Sequence, residues 1–79
     1  MIVTVRIFGY LRKYCNPEAS KGFEITLPDC GTAQDLLDAL GIPENEEKIV
    51  LVNDAYTHDK KISLNDKDAV SIYPYVGGG

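Results

Sequence analysis

Thr32-Ala33-Gln34-Asp35-Leu36-Leu37-Asp38-Ala39-Leu40-Gly41 is the stretch on which the fold turns. Ala33, Leu36, Leu37 and Leu40 fall at i, i+3, i+4 and i+7, a single apolar stripe of helical period. Thr32 is a good N-cap, and Asp35 three residues on completes a capping box with Asp in place of Glu. Gly41 supplies the C-cap, and Pro43 prevents continuation. Gln34, Asp35 and Asp38 fall on the side facing water. An eight-residue helix with one apolar stripe needs a surface to lie on, and the flanking sequence supplies it as strands.

Upstream, Val3, Val5 and Ile7 alternate with Ile2, Thr4, Arg6 and Phe8, the period-two signature of a strand with one apolar face. Gly9 breaks the pattern, and Tyr10 to Tyr14 is expected to form a short helical turn ended by Asn16-Pro17. Phe23, Ile25 and Leu27 alternate as a second strand closed by Pro28-Asp29, the first two strands forming a hairpin with an enlarged connection. Downstream, Ile49-Val50-Leu51-Val52 is a continuous apolar run, read as a strand buried on both faces or carrying an exposed apolar patch. Asn53-Asp54 begins a turn, and a short edge strand is expected beyond it, reaching Lys61-Ile62. Leu64 plugs the core ahead of a tight turn at Asn65-Asp66-Lys67-Asp68. Ala69 to Tyr73 is the last strand, with Val70 and Ile72 on one face and Ser71 and Tyr73 on the other. Strands flanking one helix make an α+β layer, a mixed sheet of four to five strands with the helix across one face. Two hairpins joined by that helix make a β-grasp, and a right-handed crossover sets the first strand beside a later one in the middle.

Composition narrows the function. The 79 residues support one domain with a modest stability margin. A net charge of −4, with Arg12-Lys13 and Lys60-Lys61 as the only basic pairs, argues against nucleic-acid binding. No apolar run approaches the roughly 20 residues that span a bilayer. Met1 to Phe8 reads as a strand and not as a signal peptide, so the expected compartment is the cytoplasm. Cys15 and Cys30 are then expected to be reduced thiols, and they are too far apart in sequence for a metal-binding pair. His58 reads as a surface turn residue. No metal and no bound cofactor are expected.

No catalytic constellation is evident. Ser20, Ser63 and Ser71 lie in no nucleophile motif, and no glycine-rich loop precedes the helix. The informative segment is Val76-Gly77-Gly78-Gly79. Glycines carry no side chain, so such an end threads a passage too narrow for a Cβ. It suits the delivery of a carboxylate into another protein's active site. Glycine content alone would sooner fit a frayed terminus. The position is what matters, because the run begins three residues after a core strand. The chain thus divides into a domain over 1–76 and a flexible glycine tail over 77–79.

Several segments together give a resemblance. Val5-Arg6-Ile7-Phe8-Gly9-Tyr10-Leu11-Arg12, Thr32-Ala33-Gln34-Asp35-Leu36-Leu37, Val52-Asn53, Leu64-Asn65-Asp66-Lys67-Asp68-Ala69-Val70 and Tyr73-Pro74-Tyr75-Val76-Gly77-Gly78-Gly79 stand in an order and spacing similar to the MoaD/ThiS family of ubiquitin-like sulfur carriers. The resemblance implies that an E1-like adenylyltransferase activates the Gly79 carboxylate with ATP. Sulfur is then installed as a C-terminal thiocarboxylate, and a second enzyme draws on it. The carrier itself catalyses nothing. Leu11-Arg12-Lys13 and Pro74 match the molybdopterin synthase small subunit, which makes the large subunit of that enzyme the favoured partner. Tyr75 departs from that branch, and Val76 to Gly79 matches the thiazole-pathway carriers, which leaves thiazole synthase as the other.

The strand phases make a separate statement about partners. If Val3, Val5 and Ile7 pack on the helix, Arg6 and Phe8 lie on the open face. If Val70 and Ile72 pack inward, Tyr73 lies there too. Phe8 and Tyr73 then form an aromatic patch at the root of the tail, with Leu51, Tyr75 and Arg12 as further contacts, Arg12 as an ion-pair partner. Exposed apolar patches of this kind mark partner surfaces. The alternative is that Phe8 curls into a small core of its own. Two other functions compete: a protein modifier joined through Gly79 to lysines, and a β-grasp interaction module with an inert tail. The chain is expected to be a monomer on its own.

Overall fold

The computed structural model describes residues 1–14, 21–45, 47–57 and 59–75. The elements run β1 (Ile2–Ile7), a 3-10 helix (Gly9–Tyr14), β2 (Phe23–Thr26), α1 (Ala33–Leu40), β3 (Lys48–Val52), β4 (Ala55–Thr57) and β5 (Ala69–Pro74). The strands form one five-stranded sheet in the order β2-β1-β5-β3-β4. The two central strands, β1 and β5, are parallel, with Val5 beside Val70 and Ile7 beside Ile72. The other neighbours are antiparallel. This is the β-grasp ubiquitin-like arrangement expected from the sequence.

The local reasons are visible in α1. The Thr32 hydroxyl accepts from the Asp35 N–H at 3.2 Å, and the Asp35 carboxylate accepts from the Thr32 N–H at 2.9 Å. At the other end Gly41 adopts a left-handed φ of 77°. Its N–H donates to the Asp38 carbonyl at 3.1 Å, and the Ile42 N–H donates to the Leu37 carbonyl at 3.2 Å. These are the paired bonds of a Schellman motif, which stop the helix and turn Ile42 inward. The stripe of Ala33, Leu36, Leu37 and Leu40 is buried against Val3, Val5, Ile7, Val50, Val70 and Ile72 from the sheet. Leu11, Leu27, Ile42 and Leu64 close the edges of this core.

Two turns fix the register of the later strands. Asn53 and Asp54 both have positive φ, 51° and 68°, and pair Val52 with Ala55 across a two-residue hairpin. Asn53 also reaches over to β5. Its side-chain N–H donates to Asp68 Oδ1 at 2.9 Å, and its side-chain oxygen accepts from the Ala69 N–H at 2.9 Å. The other carboxylate oxygen of Asp68, a buried residue, accepts from the Asn65 N–H at 2.8 Å. Asp68 thus joins the turn before β5 to the turn after β3.

One expectation is corrected. The edge strand after Asn53-Asp54 ends at Thr57 and does not reach Lys61-Ile62. The backbone there is engaged elsewhere: the Lys60 carbonyl accepts from the Gln34 N–H at 2.8 Å, and the Ile62 carbonyl from the Ala33 N–H at 3.1 Å. Those amides belong to the first turn of α1 and have no partner within the helix. The segment therefore satisfies a helix start instead of extending a sheet edge. Of the two readings of 49–52, the structure selects the exposed patch, because Val50 is buried and Val52 packs against the core while Ile49 and Leu51 are half-buried on the other face.

Candidate functional site: the open face of the sheet

Alternation along β1 and β5 puts one set of side chains under α1 and the other on the uncovered face. The register then places the uncovered set in rows. Arg6 lies beside Ser71, Ser71 beside Leu51, and Leu51 beside Tyr56. One row nearer the C-terminal end, Tyr73 lies opposite Ile49. Phe8 joins this row, because its N–H donates to the Ile72 carbonyl at 2.9 Å and carries the β1 register one residue past the strand. The Phe8 and Tyr73 rings stack with centroids 4.6 Å apart and planes 6° from parallel. Phe8 is half-buried and Tyr73 is 37% exposed. The expected aromatic patch is therefore present, and Phe8 faces Tyr73 instead of curling into a core of its own.

Leu51, named from the sequence, lies on this face, but the residue opposite Tyr73 is Ile49. Sequence reasoning passed over Ile49 and Tyr56. The signal that finds them is the phase of β3: once Val50 pairs with the inward Ile72, its neighbours must point outward. Tyr56 is 54% exposed, so the face runs as a band of large side chains from Phe8 to β4.

The other candidates lie outside these rows. Arg12 is exposed on the 3-10 helix, and its Nε–H donates to the Gly9 carbonyl at 3.1 Å. Beside it Lys13 Nζ lies 5.6 Å from the centre of the Tyr10 ring and 5.2 Å from that of Tyr14, within cation–π range. Tyr75 follows β5 and is exposed, near Glu44, Glu47, Lys48 and Lys60. Gly77, Gly78 and Gly79 lie outside the described residues, as do Cys15 and His58. Cys30 is an exposed free thiol. Among the described residues no cluster of His, Cys, Asp or Glu is placed to hold a metal ion, and no helix is long and apolar enough to cross a membrane. What the face presents is a partly apolar surface that includes β5, the last strand.

The comparisons agree with this geometry. The ThiS family model matches residues 5–79. No curated protein matches the chain in sequence. Among solved structures, a Pyrococcus furiosus protein assigned as subunit 1 of molybdopterin converting factor is 22% identical with a TM-score of 0.73, over 96% of this chain and 99% of that one. Small archaeal modifier protein 1 from H. volcanii is 18% identical with a TM-score of 0.74, over 95% and 98%. At these identities the likeness is one of fold. A chain from a complex of subunits 1 and 2 of molybdopterin-converting factor from Helicobacter pylori is 26% identical with a TM-score of 0.67, over 100% of this chain and 100% of that one. With 5–79 matched and the β-grasp in place, the chain belongs to the ThiS family.

Proposed function

We propose that this protein is a sulfur carrier whose reacting group is the carboxylate of Gly79. The observation that carries the reading is the family match, which runs to Gly79 and so includes the glycine end. Residues 1–76 serve as the handle and 77–79 as the threading tail. A carboxylate is a poor electrophile, because its charge repels nucleophiles. In an E1-like adenylyltransferase it attacks the α-phosphorus of ATP, pyrophosphate leaves, and an acyl-adenylate forms. Hydrosulfide then attacks the acyl carbon: a C–S bond forms, the C–O bond to AMP breaks, and the thiol proton passes to water. The product is a thiocarboxylate. The chain is a co-substrate in these steps, with Phe8, Tyr73, Leu51 and Ile49 as the docking face and Arg12 and Tyr75 as further contacts.

The sulfur acceptor we favour is the molybdopterin pathway, with the synthase large subunit as second partner. The end-to-end alignment with the Helicobacter pylori complex supports it. The test is intact-mass measurement after incubation with activating enzymes of both the molybdopterin and thiazole types, ATP and sulfide. Exchange of one oxygen for sulfur at Gly79 is expected. An unchanged mass with every enzyme tried would sink the reading. Co-elution with a molybdopterin synthase large subunit, and not with thiazole synthase, decides the branch.

The likeness to small archaeal modifier protein 1 favours a second reading, in which the activated Gly79 is joined to lysines of other proteins. It shares the adenylation step. Branched Gly-Gly-lysine peptides in cells that make the protein would establish it, and their absence alongside thiocarboxylate would remove it.

A further inference from the structure

The end of β5 is gripped by two consecutive residues of the segment that follows β1. Phe8 stacks on Tyr73, as described. Gly9 meets Pro74. In the parallel register Thr4 donates to the Asp68 carbonyl and Phe8 to the Ile72 carbonyl, both at 2.9 Å. Parallel pairing alternates donors between strands, so the next bond runs from the amide of residue 74 to the Phe8 carbonyl. Residue 74 is proline and has no N–H. The parallel ladder stops there, and the chain turns at Gly9, with φ +66°, into the 3-10 helix.

The turn is seated on the proline ring. A Cβ at Gly9 would lie 2.6 Å from Pro74 Cγ and 3.0 Å from Cδ. Such an approach is sterically forbidden, and a pyrrolidine ring cannot swing aside as a flexible side chain can. The opposite side of Pro74 pairs with Lys48 of β3. One residue on, the Tyr75 N–H makes a long bond of 3.5 Å to the Glu47 carbonyl. Pro74 is thus held between β3 and a glycine whose missing side chain makes the space.

We propose that Gly9 and Pro74 are a positioning pair that sets the direction in which the chain leaves β5, and through it where the terminal carboxylate is delivered. The effect on delivery rests on the carrier reading, whereas the grip on β5 does not. Docking through the open face and aiming by this pair are separable, because neither residue belongs to the aromatic rows. Docking governs KM for the carrier, and aiming governs kcat.

The test uses Gly9→Ala, Pro74→Ala and the double variant of the full chain, each melted thermally to establish folding. With an activating enzyme that adenylates the wild type, Gly9→Ala is expected to lower kcat about tenfold, with KM within about twofold. Pro74→Ala removes Cγ and Cδ but keeps a Cβ that stands 3.7 Å from where a Cβ at residue 9 would lie, an ordinary contact. The clash is then relieved, so the double variant should lose less than the two single variants added together, the strain of alanine at φ +66° being the part that remains. Additive losses, or an unchanged kcat in folded Gly9→Ala, overturn the proposal. If Gly9→Ala does not fold, Pro74→Ala carries the kinetic test, and an unchanged kcat there overturns it. A second arm needs no enzyme. NMR relaxation of the Tyr75 amide should give a rigid-backbone order parameter, about 0.85, in the wild type and a lower value in Pro74→Ala. Equal values overturn the grip. If the wild type is never adenylated, the carrier reading falls, and the positioning pair is judged by relaxation alone.

Discussion

Ile72 and Tyr73 are adjacent in sequence and lie on opposite faces of one strand. Ile72 is fully buried, packed with Val5, Ile7, Val50 and the leucines of α1. Tyr73 is 37% exposed and touches Phe8. The covered face is aliphatic and β-branched, and its side chains interlock with a helix held by caps at both ends. The uncovered face is mixed, with Phe8, Tyr73 and Tyr56 beside Ile49 and Leu51 and with Arg6 and Ser71 in the next row. The strand pairing sets both faces, but their energies are of different kinds. Side chains under α1 are removed from water when the chain folds. Those on the open face remain partly wet, so most of what they can contribute is still available to a partner. On the proposed function, folding and recognition fall to alternate residues of the same two strands.

The sharpest way to break this division is to truncate one side chain on each face. Ile72→Ala is expected to cost about 2–5 kcal/mol, as buried isoleucine truncations do. That is a large share of the roughly 5–15 kcal/mol that hold a small domain together. A chemical denaturation midpoint measures it, and a loss under about 1 kcal/mol would mean that the core can collapse around the site. Tyr73→Ala and Phe8→Ala are expected to cost stability only about 1 kcal/mol or less, the scale of a stacked pair. Their affinity for the activating enzyme should fall by about tenfold to a hundredfold, or 1.4–2.8 kcal/mol, measured by calorimetric titration. Loss of stability without loss of affinity would make the aromatic pair a structural one and move the docking surface elsewhere.

How far this division was legible follows from the range of each signal. The helix was readable to the residue, because Thr32, Asp35 and Gly41 act within one turn of where they stand. The inward and outward sets of β1 and β5 were readable from alternation, as was the meeting of Phe8 and Tyr73 once those strands were placed side by side. Ile49 was not, because a continuous apolar run carries no phase of its own, and only pairing with β5 supplies one. The end of β4 was missed for a similar reason: the carbonyls of Lys60 and Ile62 answer amides of Ala33 and Gln34, more than two dozen residues away. Gly9 and Pro74 read in the sequence as a break and a family match. Their contact exists only because a parallel register, continued past Ile7 and Ile72, puts residue 74 beside residue 9.

Asp68 tests whether the two faces can be separated at their common edge. Its carboxylate lies at the start of β5, before the faces diverge, and accepts from Asn53 and from the Asn65 amide. Asp68→Asn presents an N–H to one of these donors and is expected to cost about 1–3 kcal/mol, the range for leaving a buried polar group unsatisfied. Because Asn53 also holds the Ala69 amide, the loss should appear as faster amide hydrogen exchange at Ala69 and Val70 than at Ile72. Uniform exchange along β5 would mean that the strand opens as one unit, and that its two ends cannot be tuned apart.

The smallest effect belongs to the helix start. Thr32→Ala removes the hydroxyl that accepts from Asp35 and is expected to cost about 1 kcal/mol. The Asp35 carboxylate would still accept from the residue-32 amide, and the Lys60 and Ile62 carbonyls would still hold two amides of the first turn. α1 should therefore remain folded, with circular dichroism unchanged and the thermal midpoint lowered by a few degrees, roughly the shift that 1 kcal/mol produces in a domain of this size. The open face lies on the far side of the sheet, so affinity for the activating enzyme should not move. A cap variant that weakened partner binding would mean that α1 communicates through the sheet, and that the faces share more than a backbone.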